Sequence, residues 1–496
     1  MILPLLLLAC TGKDEPVDSA APWVFPELDA APGLRGPGGP TVAFDSDALW
    51  QNCAGLLGGD EDVLHHNLVM PYRGHLVLPW APEFGGGGIS FFEVADPCNP
   101  VRVGNSFSRF MRETHAIGFL HLPDDDPQAG DYAAVTGNLG VQIWDITDIT
   151  AAEPIAYLQL PNVFYPDSYA RVVLSVFWQH PWLFVAAADN GVYVVDTSSL
   201  TEPEHVGGYS FDPVLRAGGV FALGSRLLVT SAEGNQVAVL DISYPDDPQP
   251  IPGGLFTLTD GSGTPTEAYH GNLVGHTALF ARKEGGGGVI AWDISDPSNP
   301  TYLTEGFSEG GNGGYVFYDE GYAFVGDSHW GRVYDLRDPD AVVEVGTGNL
   351  PGDLDTFVPY GNVGVLSVDE DAEDETASAI VPWTTAVDDT PPALLAVDPP
   401  DGATGVATTA RVGLGFNEPV EPGSAFPGSV RLYDDAGLAV PGFVSVQETI
   451  VTYAPKEPLK PGTTYTVELL QGGITDINSN ALAAPFTATF TTAGAR

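Results

Sequence analysis

Between residues 93 and 340 the chain repeats one pattern six times: an apolar run, an acidic residue, then a turn carrying proline. The acidic anchors are Glu93, Asp145, Asp196, Asp241, Asp293 and Asp335, spaced by 52, 51, 45, 52 and 42 residues. A degenerate seventh copy places Trp383 in the anchor slot after a further 48 residues. Runs such as Val192-Tyr193-Val194-Val195 and Val289-Ile290-Ala291-Trp292 are β-branched or aromatic and apolar on both alternating faces, as in a strand covered on each side. Asp296-Pro297 then opens a turn, because Asp accepts local backbone hydrogen bonds and Pro presets φ. Two strand-like runs precede each anchor strand, as in Tyr315-Val316-Phe317-Tyr318 and Tyr322-Ala323-Phe324-Val325, and one follows it, as in Thr301-Tyr302-Leu303. Four short strands and their turns fill a period of this length, which is that of a propeller blade. The expected fold is therefore all-β: a seven-bladed β-propeller over residues 41–387, followed by a different module.

The first and fifth units are nearest twins. Gly85-Gly86-Gly87-Gly88 and Gly285-Gly286-Gly287-Gly288 stand at one offset from their anchors, and Asp96-Pro97-Cys98-Asn99-Pro100 matches Asp296-Pro297-Ser298-Asn299-Pro300. Such agreement implies internal duplication. With Tyr193-Val194-Val195-Asp196 as its type segment, the repeat resembles the LVIVD-repeat family of bacterial propellers. That resemblance implies the architecture and a secreted or surface-attached location, and it brings no reaction.

Residues 1–9 are almost wholly apolar and too short to span a bilayer. They end in Leu7-Leu8-Ala9-Cys10, which resembles a bacterial lipobox and implies cleavage before Cys10 and lipidation of that residue. Acyl chains contribute roughly 0.8 kcal/mol per buried methylene, so the expected membrane partner is reached through lipid. An ordinary truncated signal peptide is the alternative, since a basic n-region is missing. Residues 10–40 read as a Pro/Ala/Asp-rich tether. With Thr11 after the anchor, the resemblance implies the outer membrane or cell surface of a Gram-negative bacterium. Of the remaining cysteines, Cys53 and Cys98 bracket the first unit and would pair in an oxidising compartment, two buried free thiols being the alternative.

From Asp388 the pattern changes to a sandwich-like series of strands at 410–416, 429–433, 442–446, 450–453, 464–470 and 486–492. Leu459-Lys460-Pro461-Gly462-Thr463-Thr464-Tyr465 has the form of a tyrosine corner. Residues 388–496 resemble the S-layer type of bacterial Ig-like domain in Pro400-Asp401-Gly402-Ala403-Thr404-Gly405-Val406, Phe416-Asn417-Glu418-Pro419-Val420, Asp476-Ile477-Asn478-Ser479-Asn480 and Phe490-Thr491-Thr492. The resemblance implies a spacer or adhesive unit.

With 65 acidic and 18 basic residues the formal charge is -47, which excludes nucleic acid as a partner, because phosphate binding needs clustered Lys and Arg. The acidity reads as a solubility device, since no stretch has the spacing of an EF-hand loop. Counting back from the anchors puts His66, His115, Arg171, Gly218, His270, Asn312 and Asp355 23 to 30 residues upstream, near the start of each innermost strand. Innermost strands line a propeller's channel, so His66, His115 and His270, with Asp355 and with Glu113 or Glu267 nearby, are candidates to hold a divalent metal or another ligand. The competing expectation is that these polar residues hydrate the channel. No HExxH, GxSxG or CxxC motif is present. Two functions remain: a non-catalytic, lipid-anchored envelope module that recognises a protein or glycan, and a metal-dependent hydrolase or lactonase.

Overall fold

The computed structural model describes residues 23–28, 55–56, 66–83, 85–167, 169–283, 285–370, 372 and 377–495. Cys10, Cys53 and His65 lie outside these residues.

Every acidic anchor closes the third of four consecutive antiparallel strands. The third strands are Gly87–Glu93, Gly140–Asp145, Val192–Asp196, Gln236–Asp241, Gly287–Asp293 and Trp330–Asp335. Five of the aspartates accept a hydrogen bond from the backbone N–H two residues on: Asp145 from Thr147 at 2.9 Å, Asp196 from Ser198 at 2.8 Å, Asp241 from Ser243 at 2.7 Å, Asp293 from Ser295 at 2.8 Å and Asp335 from Arg337 at 3.0 Å. This Asx turn ends the strand and releases the chain into the Pro-bearing turn. A second Asx turn follows at Asp96, Asp148, Asp296 and Asp338.

Counted this way, seven such sheets succeed one another among the described residues. The last joins Asp353–Tyr360, Val363–Glu370 and Ser378–Pro382 to Gly55–Leu56, a strand supplied from ahead of the first sheet. The ring is thereby closed by backbone hydrogen bonds rather than by packing alone. In the seventh unit Trp383 replaces the aspartate: its Nε1 donates to the Gly361 carbonyl at 2.8 Å, and its ring meets Tyr322 and Phe324 of the sixth sheet.

Apolar cores lie between neighbouring sheets. Val77, Phe119, Phe324 and Phe357 belong to one cluster across the first, second, sixth and seventh sheets; Phe177, Phe221 and Phe280 belong to another across the third to fifth. Burying each ring contributes about 1.5–3 kcal/mol. Fourth strands such as Glu204–Tyr209 are largely exposed, which is why they carry the weakest apolar pattern. Cys98, in the turn of the first unit, is disulfide-bonded.

Residues 388–495 form a two-sheet sandwich. One sheet orders Leu394–Asp398, Val412–Phe416, Ile450–Pro455 and Gly442–Gln447; the other orders Ala403–Val406, Phe486–Thr492, Thr464–Leu469 and Val430–Tyr433. The buried Tyr465 hydroxyl accepts from the Lys460 N–H at 2.7 Å and so holds the corner that the sequence pattern suggests. Among the described residues no helix is long and apolar enough to cross a membrane.

The sandwich is seated on the ring. Gly442–Gln447 pairs antiparallel with Gly118–Leu122, the innermost strand of the second sheet, through Ser445↔Leu120 and Val446↔Phe119. Buried Arg411 donates to Gln179 at 2.8 Å and to the Ile242 carbonyl at 2.7 Å; Gln447 donates to the Val176 carbonyl at 3.2 Å; Lys456 pairs with Asp126 at 3.0 Å. Gln179 and Asp126 lie at or just past the ends of innermost strands and Ile242 follows an anchor, while Phe119, Leu120 and Val176 lie within innermost strands. One face of the ring is thus occupied by the sandwich, and the tip Gln447-Glu448 helps to wall a cavity of about 30 Å³ with Met70, Phe119, Phe317 and Val358.

Candidate binding face and channel

The opposite face carries the starts of the innermost strands, and there part of the histidine set meets. His115 precedes Gly118–Leu122, while His270 lies inside Glu267–Val274 at a bulge. Both rings lie against Tyr315, with centroids at 5.5 and 4.6 Å, and Tyr269 contacts His115 and Tyr315. Glu113 joins them: its Oε1 lies 2.5 Å from His115 Nε2 and accepts from Asn67 Nδ2 at 2.7 Å. The same Asn67 amide donates to the Tyr315 hydroxyl at 3.0 Å. Asp355, 5% exposed, packs against Gly314, where a Cβ would come within 2.6 Å of its Oδ1.

His66 departs from the expected set. Its Nδ1 bonds Ser378 Oγ at 2.8 Å, in the seam between the first and seventh sheets. Asn67, one residue on, takes the place in the channel network. Among the described residues the trio of His, Cys, Asp or Glu whose ligand atoms lie within 4.8 Å of one another is Asp388, Glu418 and Asp476, at the domain junction. The channel residues His66, His115, His270 and Asp355 therefore do not come together as a set of metal ligands. The reason is geometric: equal spacing from an anchor fixes the level along the ring but not the direction of the side chain.

What the channel holds is a buried polar network with open valences. Arg112 is 2% exposed, and its three guanidinium nitrogens have no hydrogen-bond partner; Glu113 Oε2 stands 3.8 Å from one of them. His270 Nε2 and Asn67 Oδ1 are also unpartnered. Burial, aided by the neighbouring His115, lowers the His270 imidazole to about 3, so it is neutral at physiological pH. Burial and the charges nearby hold the Tyr269 and Tyr315 hydroxyls well above their ordinary range, so both remain donors. Such a site can order water or an anionic group. Arg112, Asn67, Tyr269 and Tyr315 were not legible as site residues, although Tyr269 and Asn67 adjoin two of the counted histidines.

Around the mouth of this channel the face displays cations laid over aromatic rings. Arg282 lies 4.9 Å from the Phe307 ring, Arg171 4.8 Å from Phe164, Arg216 4.9 Å from Tyr169, Arg332 5.8 Å from Trp330 and Lys283 4.2 Å from Tyr269. Carboxylates fix several of them: Arg332 bonds Asp327 at 2.7 Å and Glu344 at 2.9 Å, and Arg282 bonds Glu305 at 3.2 Å. Phe107, Phe164, Phe307 and Trp330 are 59, 48, 52 and 39% exposed, and the last three lie beneath guanidinium groups that are each paired with a carboxylate. Exposed aromatics beside Arg are the composition of binding hot spots.

No curated protein matches this chain. Similar solved structures include a hypothetical selenium-binding protein from Sulfolobus tokodaii, 12% identical with TM-score 0.48, covering 60% of this chain and 83% of that one. The β-propeller domain of Cps50 (Swd1) from Myceliophteria thermophila is 10% identical with TM-score 0.45, covering 67% and 99%. BamB from Moraxella catarrhalis is 13% identical with TM-score 0.38, covering 64% and 93%. Residues 388–492 match the family described as bacterial Ig-like domain, and the chain joins that domain to a β-propeller in an all-β protein.

Proposed function

We propose that this protein is a non-catalytic binding or scaffold module of a bacterial cell envelope, tethered by lipid on Cys10, that recognises a protein or glycan through the open face of its propeller. The observation that carries this reading is the asymmetry of the ring: the Ig-like domain occupies one face, and the other presents exposed aromatics paired with Arg around a polar channel. Aromatic faces suit the apolar faces of sugars and protein side chains alike, and the fixed guanidinium groups add orientation. The Ig-like domain supports a surface location, since such domains occur in bacterial surface proteins.

The test is binding of the full chain to immobilised envelope glycans and, separately, envelope proteins. A Phe307→Ala, Trp330→Ala double variant is expected to weaken the bound class by about tenfold or more. Parent-like binding by the variant, or no binding in either arm, would overturn the reading. In a bacterial host the parent is expected to incorporate labelled palmitate and Cys10→Ser is not; an unacylated parent removes the tether.

A further inference from the structure

We infer that a hard divalent cation, calcium by the chemistry of its ligands, binds where the two domains meet, between Asp388, Glu418 and Asp476. The three residues come from separate segments: the linker, the loop after Val412–Phe416, and the loop before Phe486–Thr492. Their ligand oxygens lie within 4.8 Å of one another. All donors are carboxylate oxygens, with no imidazole or thiolate in the set, which suits calcium rather than a borderline transition metal.

The observation that turns a cluster of acids into a site is Glu418. It is 2% exposed, and its Oε1 has no hydrogen-bond partner. A carboxylate kept from water with an unpartnered oxygen is costly unless a positive charge faces it. Among the described residues no Lys, Arg or His forms an ion pair with any of the three.

The other two carboxylates are held by amides that leave them acceptor capacity. Asn480 donates to Asp476 Oδ2 at 2.8 Å and to Asp388 Oδ2 at 3.2 Å; Asn478 donates to Asp388 Oδ2 at 3.1 Å. This is the outer support that a metal's ligands need. Glu320, in the turn after Gly313–Asp319 of the ring's sixth sheet, lies alongside, and its N–H bonds the Asn417 carbonyl at 2.9 Å, beside Glu418. A groove of about 520 Å³ lined by Asp319, Glu320, Asp388 and Asp389 borders the Asp388 side of the site. A cation here ties the linker residue Asp388 to two loops of the Ig-like domain, beside a turn of the propeller.

The experiment is calorimetric titration of the full-length, chelator-treated chain with CaCl2 and, separately, MgCl2, with thermal midpoints read in each. The parent is expected to take up one equivalent of Ca2+, to bind Mg2+ about tenfold more weakly or worse, and to melt higher with Ca2+. Glu418→Gln should retain the fold in chelator but bind Ca2+ at least about tenfold more weakly and lose the shift in midpoint. Asp388→Asn, outside the core, gives the same reading should that variant fold poorly, and exposed Asp435→Asn should behave as the parent. Failure of the parent to bind Ca2+ stoichiometrically, or parent-like binding by both Glu418→Gln and Asp388→Asn, would overturn the inference. Neither result bears on recognition at the opposite face.

Discussion

Glu448 stands at the tip of the hairpin that the Ig-like domain lowers onto the ring, in the left-handed region at φ 55, with its carboxylate 2.5 Å from Asn272 Nδ2. Burial raises it from 4.5 to about 7. The folded protein thus holds this proton up to about pH 7, whereas the unfolded chain releases it near 4.5, so folding binds more protons in that window and stability falls as pH rises through it. Glu448→Gln removes the dependence. Its stability relative to the parent, from denaturant midpoints, is expected to be greater at pH 8 than at pH 5, by on the order of 2 kcal/mol. An equal difference at both pH values would show that the carboxylate is not held in this environment. The aspartate anchors present the opposite case: Asp-Pro chemistry reads directly as a turn because the Asx bond is local, formed within two residues. His66 was not legible in this way, because its bond to Ser378 spans 312 positions and only the closed ring brings the two together.

At the scale of the element, the third strands stand out in the sequence because both of their faces are buried, whereas the fourth strands alternate poorly because one face meets water. Two strands of the sandwich, Leu394–Asp398 and Ala403–Val406, escaped the pattern: each is short and lies against the Pro-Pro-Asp-Gly turn at 399–402, whose signals dominate the window. The fourth strands also hold the ring together through small residues. A Cβ on Gly104 would fall 1.8 Å from the Ile149 carbonyl oxygen, and one on Gly207 1.8 Å from that of Asp246, each in the anchor turn of the next sheet. The outer strand of one sheet therefore touches the turn of its neighbour with no space for a side chain. Gly207→Ala is expected to cost about 1–3 kcal/mol, read from the thermal or denaturant midpoint, because backbone must move to admit the methyl group. No loss of stability would mean that neighbouring sheets are not in this contact.

For the whole molecule, the repeat and the change of pattern at Asp388 made both domains legible, but not their arrangement. Nothing in either periodicity says that Gly442–Gln447 will add itself to an innermost strand of the ring, since that pairing depends on the shape of an edge rather than on a sequence motif. The acidic trio was hidden for the same reason: Asp388, Glu418 and Asp476 are far apart in sequence, and no spacing rule connects them. The net charge of -47 pointed to solubility, and it does not reveal where the few cations stand. Recognition at the open face of the propeller requires that the Ig-like domain cover the other. The chain has only four lysines, and Lys456 lies 3.0 Å from Asp126 across the junction. Zero-length carbodiimide cross-linking of the full chain, read by mass spectrometry, is expected to yield an isopeptide between Lys456 and Asp126. Cross-links of Lys456 confined to carboxylates of its own domain, with none to the ring, would contradict the arrangement.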